Sequence, residues 1–156
     1  MTGDVQGYSL PDELAPDLIR VLSYWNGLKR GANDIPFWDD VKLSLRSRIG
    51  QESMLIDVFE NPLRFRFDLT GADLISWYGG AFGNSFLDEI DLHTPFDGLP
   101  LQCRATVEGS IPTYYSHKGQ AGHPRAYARL LLPLWGNGRI EMLLGAVVPD
   151  KASNAG

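Results

Sequence analysis

The stretch from residue 126 to residue 148 constrains the fold more than any other part of the sequence. It contains two apolar runs separated by Gly136-Asn137-Gly138, residue types that adopt positive φ angles at little cost, and therefore predicts a β-hairpin. Side chains alternate between the two faces of a strand, and here both faces are mostly apolar. A hairpin that is apolar on both faces must be covered on both, so the rest of the chain has to supply two covering layers.

Alternation also assigns the hairpin side chains to faces. In the first strand one face is aliphatic and is formed by Ala128, Leu130, Leu132 and Leu134. The opposite face of that strand carries Tyr127, Arg129, Leu131, Pro133 and Trp135. In the second strand an unbroken apolar face is predicted from Ile140, Met142, Leu144, Ala146 and Val148. We expect Arg129 on the outer face, as a surface or salt-bridge residue; with the faces reversed, it would point into the interior and could bind an anion.

Composition and charge narrow the class of protein. A chain of 156 residues is long enough for one domain with a substantial core. The net charge of −5 and the scattered basic residues argue against a nucleic-acid surface. The single cysteine, Cys103, excludes an internal disulfide and a multi-cysteine metal site. Without a targeting segment or an apolar run long enough to span a bilayer, the sequence predicts a cytoplasmic protein with no membrane span.

The remaining chain is expected to supply one long helix, a second hairpin and a helical middle. Helical spacing of apolar residues predicts an amphipathic helix over residues 9–31, with a capping box at Ser9 and a stop at Gly31. A second hairpin is predicted over 53–59 and 63–70, with an inward face formed by Leu63, Phe65, Phe67 and Leu69. The other predicted elements are an irregular connector with a helical turn at 32–51, a short helix at 72–78, a helical turn at 86–90, a helix at 95–107 and a strand at 111–117. Residues 1–8 and 150–156 are expected to be flexible ends of a single domain, 9–149, whose core is 53–148.

Several segments, in this order and spacing, resemble the PAS-domain family, and more narrowly its short single-domain proteobacterial branch. They are residues 25–31 (WNGLKRG), residues 63–67 (LRFRF) with Gly71, residues 87–89 (LDE), and residues 129–134 (RLLLPL) with residues 144–146 (LGA). The resemblance runs from about Leu18 to Val148. Residues 85–89 depart from the family's usual basic-residue-plus-glycine lead into this turn, and residues 35–51 are only loosely similar.

The PAS resemblance implies an α+β fold with a five-stranded antiparallel sheet. Short helices would lie on one face of this sheet and an N-terminal amphipathic helix on the other, enclosing a small cavity. The resemblance also implies a sensory or protein-interaction module whose N-terminal helix is often a dimer contact. The candidate dimer-contact residues on that helix are Leu14, Leu18, Leu22 and Trp25.

Seven large side chains are the candidate lining of a ligand pocket: Phe65, Phe67, Trp77, Phe86, Tyr115, Leu132 and Met142. An apolar lining with few polar groups is typical of ligand pockets. The same side chains could instead fill the core with no ligand between them, because native interiors are densely packed.

The residues argue against the cofactors of PAS domains and against catalysis. Cys103 shares only a Cys-Arg pair with the reactive motif of flavin-binding photosensory PAS domains, and we interpret it as a buried, inert thiol. A haem ligand would be expected on the helix before the third strand, whereas His93 precedes that helix. The carboxylates of Asp88, Glu89 and Asp91 near His93 fit either an acid–base or metal site or a solvated turn. We therefore predict no metal site, no cofactor and no catalytic residue.

Together these features predict a non-enzymatic signalling domain that binds a small ligand, a protein partner, or both. Such a domain would pass its signal to another protein in trans and is expected to form a homodimer. One alternative is a small cone-shaped α+β pocket protein or enzyme, which would need an acid–base pair deep in its cavity. Another alternative is a pure dimerisation scaffold with a filled core.

Overall fold

A computed structural model describes residues 7–41, 51–118 and 126–149. The predictions for residues 1–6, for part of the connector (42–50) and for the tail (150–156) lie outside these described residues. In chain order the elements are helix α1 (Pro16–Gly27), strands β1 (Ser53–Phe59) and β2 (Arg64–Thr70), helix α2 (Ala72–Tyr78), a 3₁₀ turn (Leu87–Glu89), helix α3 (Leu99–Gly109), and strands β3 (Thr113–His117), β4 (Tyr127–Gly136) and β5 (Arg139–Pro149).

The five strands form one antiparallel sheet in the order β2-β1-β5-β4-β3. Strands β4 and β5 are the hairpin predicted from residues 126–148, and they turn at Asn137 (φ 51°) and Gly138 (φ 78°). Two consecutive positive φ angles give the tight turn whose twist matches that of the flanking strands, which is why Asn-Gly is favoured there. The predicted α+β class with a five-stranded antiparallel sheet is confirmed.

Helix α1 is shorter than the predicted 9–31. It begins at Pro16, which can occupy only the first turn of a helix because it lacks an N–H and its ring crowds the preceding turn. The capping box at Ser9 is therefore wrong, and Ala15 is the N-cap residue. The helix ends at Gly27, where Leu28 donates its N–H to the Trp25 carbonyl, so the predicted stop at Gly31 lies four residues too late.

Helix α1 covers one face of the sheet, which we call the outer face. Its buried residues Leu18, Val21 and Trp25 pack on aliphatic side chains of β1, β4 and β5, among them Leu55, Leu130, Leu132, Leu134, Met142 and Leu144. The Trp25 Nε1 donates a hydrogen bond of 2.9 Å to the carbonyl of Pro133. Strand β3 pairs with β4 only as far as Leu131, so the Pro133 carbonyl is free to accept this bond.

Helices α2 and α3 and the 3₁₀ turn cover the opposite, inner face. This second core contains Met54, Ile56, Phe65, Phe67, Leu131 and Leu143 from the sheet and Leu74, Leu87, Leu99 and Cys103 from the helical segments. Cys103 is fully buried, as predicted, and desolvation raises the pKa of its thiol to about 12. The short helix predicted over 72–78 matches α2, whereas α3 begins four residues after its predicted start at residue 95.

The face assignment made from alternation is wrong in three respects. First, Tyr127 and Leu131 lie on the inner face and Leu132 on the outer face, the reverse of what was expected. Second, the register shift between Leu55 and Ile56 leaves one extra residue in β2, so Leu69 faces outward while Phe67 faces inward.

Third, a register shift between Leu134 and Trp135 leaves Glu141 as an extra residue in β5. Ile140 is therefore on the inner face and Met142 on the outer face, not side by side. A β-bulge places two residues opposite one, so the strict period of two is lost wherever a bulge occurs.

Candidate functional site

The candidate pocket residues do not all lie together. Phe67 and Phe65 are buried in the inner core, and Trp77 and Tyr115 pack against it. Leu132 and Met142 belong to the outer core under α1, so they are separated from the other candidates by the sheet. Phe86 lies beside the edge strand β2, where the guanidinium carbon of Arg64 is 3.8 Å from its ring centroid.

The inner face of the sheet contains a buried cation, Arg129 of β4, with 0% exposure. Its Nε donates to the Gln102 Oε1 at 2.7 Å, its Nη1 to the Pro95 carbonyl at 3.0 Å, and its Nη2 to the Asp97 carbonyl at 2.8 Å. The acceptors come from α3 and from the irregular segment that precedes it. A non-helical segment can offer carbonyls that a regular helix keeps for its own hydrogen bonds, which explains why Arg129 faces this layer and not α1.

The charge of Arg129 has no carboxylate partner among residues 7–41, 51–118 and 126–149, because its hydrogen bonds go to two backbone carbonyls and an amide. The guanidinium carbon lies 4.7 Å from the ring centroid of Tyr115 and 6.0 Å from that of Tyr127. Desolvation lowers the pKa of Arg129, although a guanidinium stays protonated in proteins. The site is therefore a positive charge held by dipoles and aromatic faces.

A second set of buried polar groups holds Gln102 in position. The Gln102 Nε2 donates to the Thr113 Oγ1 at 3.1 Å and to the Arg129 carbonyl at 3.2 Å. The Thr106 and Thr113 hydroxyls share a hydrogen bond of 2.6 Å, and Thr106 also donates to the Gln102 carbonyl at 2.8 Å. All three side chains are buried. This network fixes the Oε1 of Gln102 toward Arg129, because both protons of its amide are already engaged.

Tyr127, Asp97 and Thr94 form a second hydrogen-bonded group next to Arg129. The carboxylate Oδ2 of Asp97 accepts hydrogen bonds from the Tyr127 hydroxyl (2.8 Å) and from the Thr94 hydroxyl (3.0 Å). Burial raises the pKa of Tyr127 well above its usual range, while the nearby charge of Arg129 opposes this shift. The phenol therefore stays neutral and acts as a hydrogen-bond donor.

A further buried donor lies against Tyr127. The rings of Trp77 and Tyr127 meet edge to face with their centroids 5.8 Å apart. The Trp77 Nε1 is buried, and no atom of the described residues accepts a hydrogen bond from it. Trp77, whose N–H has no acceptor among the described residues, and the positively charged Arg129 thus both lie next to Tyr127.

His93 is hydrogen-bonded to neither of these groups and instead contacts Asp91 and the end of α2 at Tyr78. Its Nδ1 is 2.8 Å from the Asp91 Oδ2, its Nε2 is 2.8 Å from the Tyr78 carbonyl, and its ring stacks on Tyr78 at 4.2 Å. These contacts, with that to the Tyr78 carbonyl first, raise the pKa of His93. Asp88 and Glu89 instead pair with Arg64, so the predicted acidic cluster around His93 is reduced to Asp91.

The candidate dimer contacts divide into two kinds. Leu18 (0% exposed) and Trp25 (3%) are buried against the sheet and cannot reach a partner. Leu14 and Leu22 are half-buried and line an open groove of about 480 Å³ between α1 and the segment before it. The groove, and not the helix stripe as a whole, is the surface that remains accessible.

Sequence reasoning missed Asp97, Gln102, Thr106 and Thr113. A signal was present, because Gln102 and Thr106 stand four residues apart on a predicted helix and so share its face. Within the described parts of the chain, no group of three or more His, Cys, Asp or Glu side chains could hold a metal ion. Likewise, none of the helices found there is long and apolar enough to cross a membrane.

Comparisons of the chain with protein-family models, with curated proteins and with solved structures found no significant match.

Proposed function

We propose that this chain is a PAS-type sensory domain of the cytoplasm, without enzymatic activity, that binds a small ligand or a protein partner and relays the signal in trans. The observation that carries the proposal is the layered architecture. An antiparallel sheet of order β2-β1-β5-β4-β3 has short helices on its inner face and an amphipathic helix on its outer face, the arrangement that the PAS resemblance implies.

The ligand position that we favour is beside Tyr127, under the helical layer. Arg129 supplies a positive charge that is not neutralised by a carboxylate within the described residues, and Trp77 supplies an N–H without an acceptor there. A small molecule with a carboxylate or similar anionic group would satisfy both. It would replace the carbonyls of residues 95 and 97, which belong to an irregular segment and can move without unfolding a helix.

The absence of enzymatic activity is supported by the protonation states at the site. Tyr127 and Cys103 have raised pKa values, so neither supplies a base or a nucleophile near neutral pH. The Asp97 carboxylate is occupied by two hydrogen bonds.

The test is the mass of the purified protein in native and denaturing mass spectrometry, together with its absorption spectrum. We expect extra mass in the native spectrum that is lost on denaturation. The Trp77→Phe variant keeps an aromatic side chain, though a smaller one, and removes the N–H, so it should retain much less of that mass. A bare polypeptide would overturn the ligand part of the proposal, and equal retention by the variant would overturn the position.

The predicted homodimer is a proposal of the same kind, and light scattering coupled to size exclusion tests it. Since Leu18 and Trp25 are buried, a homodimer would have to use a surface other than the predicted stripe of α1. A mass of one chain at all concentrations would overturn it.

A further inference from the structure

The groove beside α1 has an apolar floor that the described residues leave uncovered. It is lined by Leu10, Pro11 and Leu14 from the segment before the helix and by Ile19 and Leu22 from α1 itself. Ile19 is 48% exposed, whereas Leu18 and Val21 on the neighbouring flank are buried against the sheet. The groove thus exposes apolar surface beside α1, although its Leu10, Leu14 and Leu22 also pack partly on the outer core.

Both walls of the groove are held in place by the fold. The segment before α1 is attached to the edge strand β3, because the Tyr114 N–H donates to the Tyr8 carbonyl at 2.8 Å. The ring centroids of Tyr8 and Tyr115 are 6.4 Å apart, and Leu10 and Leu14 pack partly on the outer core. A groove that exists before its occupant arrives saves the cost of ordering it on binding.

The charged residues of the groove are acidic. Asp12 and Glu13 line it, and neither has an ion-pair partner within the ranges that the structure describes. The nearby Arg20 is already paired with Asp17 at 2.8 Å and with Glu52 at 3.2 Å. Two unpaired carboxylates therefore stand beside an open apolar floor.

We infer that this groove binds a segment of another protein in which aliphatic side chains alternate with lysine or arginine. The inference deepens the proposed function, on which it rests, by stating the chemistry of the protein partner. The aliphatic side chains would cover Leu14, Ile19 and Leu22, and the cations would pair with Asp12 and Glu13.

A second copy of this chain fits the groove less well. In a two-fold dimer the same surface meets itself, so the Asp12 and Glu13 of one copy would approach their counterparts in the other. The chain as a whole also carries a net charge of −5, which adds to the repulsion.

The experiment uses two synthetic peptides of about twelve residues, one of alternating leucine and lysine blocks and one with glutamate in place of lysine. Binding to the full chain is measured by fluorescence anisotropy at low and at physiological salt. We expect the lysine peptide to bind and the glutamate peptide not to bind. Removing both carboxylates with Asp12→Asn and Glu13→Gln should weaken binding about threefold to thirtyfold, from two exposed ion pairs.

Two further variants distinguish binding in the groove from general electrostatic attraction of the peptide to an acidic protein. Ile19→Ser should also weaken binding, since it removes an apolar side chain from the floor. The matched control is Asp34→Asn with Asp39→Asn, which removes two exposed carboxylates beyond the C-terminal end of α1 and should leave binding unchanged. Equal weakening by the control, or none by Ile19→Ser, would overturn the inference.

Light scattering on the same variants tests the other occupant. If the wild-type chain is a dimer and Ile19→Ser makes it a monomer, a second copy fills the groove and the inference is wrong. Failure of peptide binding in a protein that still carries a ligand in native mass spectrometry would overturn the inference alone. Absence of the ligand together with normal peptide binding would count against the ligand part of the proposed function alone.

Discussion

Replacing Arg129 by methionine tests whether the buried guanidinium holds the inner face together. Methionine keeps an unbranched apolar stem of similar length but removes every N–H, so three acceptors lose their donor: the Gln102 Oε1 and the carbonyls of Pro95 and Asp97. An acceptor left unsatisfied in the interior costs about 1–3 kcal/mol. Because Gln102 is fully buried, the cost at its Oε1 should lie near the middle of that range. Residues 95 and 97 belong to an irregular segment that can turn toward water, so the cost at each of their carbonyls should lie at the lower end.

The three losses sum to about 4 kcal/mol, and relief from burying a charge returns part of this. We therefore expect Arg129→Met to lower the free energy of unfolding by about 3 kcal/mol, a large share of the stability of a domain of this size. Chemical denaturation with urea measures this, and amide hydrogen exchange should show faster exchange around residues 95–98 than elsewhere.

The matched control is Arg104→Met, the same substitution on α3 at a residue that is half exposed and lies 3.7 Å from Glu108. We expect Arg104→Met to change the free energy of unfolding by less than about 0.5 kcal/mol, as for most exposed ion pairs. If Arg129→Met proved as stable as the wild type, the hydrogen bonds to residues 95 and 97 would not be what fixes the helical layer, and the reasoning would fail.

Three other predictions follow from the same contacts. The pKa of His93 is raised above its ordinary 6.5, so its stabilising contribution is fully present below about pH 6.5 and is lost as the pH rises through the folded pKa. The free energies of unfolding of the wild type and of His93→Ala, measured in urea from pH 5.5 to 8.5, should therefore differ less as the pH rises. A difference that stays constant with pH would contradict this. Gly71→Ala should destabilise the protein by about 1–3 kcal/mol, because the added Cβ would collide with the backbone carbonyl of Gln51, which cannot move aside. The control is Gly83→Ala, which has open space around the added Cβ and an ordinary φ and should change the free energy of unfolding little. Cys103 is fully buried with a thiol pKa of about 12, so a thiol reagent at neutral pH should react with it only after unfolding; rapid reaction in the native protein would refute this.

Local sequence signals predicted the elements well where the chemistry is local. Gly136-Asn137-Gly138 can form a tight turn whatever surrounds it, and α2 ends where Gly79 adopts a left-handed conformation (φ 90°) that other residues rarely adopt. The start of α1 could also have been predicted from one residue, since Pro16 is admitted at the start of a helix and not inside it. These features depend on the backbone of a few neighbouring residues.

The faces of the sheet could not be predicted in the same way, because a bulge has no reliable mark in a single sequence. Period-two alternation continues through Asp68 and Glu141 as if each were paired, so Leu69 was assigned to the wrong face and Ile140 was wrongly placed on the same face as Met142. The reversal at Arg129 has a different cause. Alternation shows that Arg129 shares a face with Tyr127 and Leu131, but both faces of β4 are apolar and either could have met α1.

What decides between the two faces is where the guanidinium finds acceptors, and those belong to residues about 30 positions away in the chain. An arginine packed under α1 would face a helix whose carbonyls, except in its last turn, are already used. Under the helical layer it meets the carbonyls of residues 95 and 97, which precede the helix, and the amide of Gln102. The cost of burying a charge without its hydrogen bonds exceeds any difference in apolar packing between two such similar faces. The one charged side chain of β4 thus orients the whole hairpin, and with it the layer in which we place the ligand.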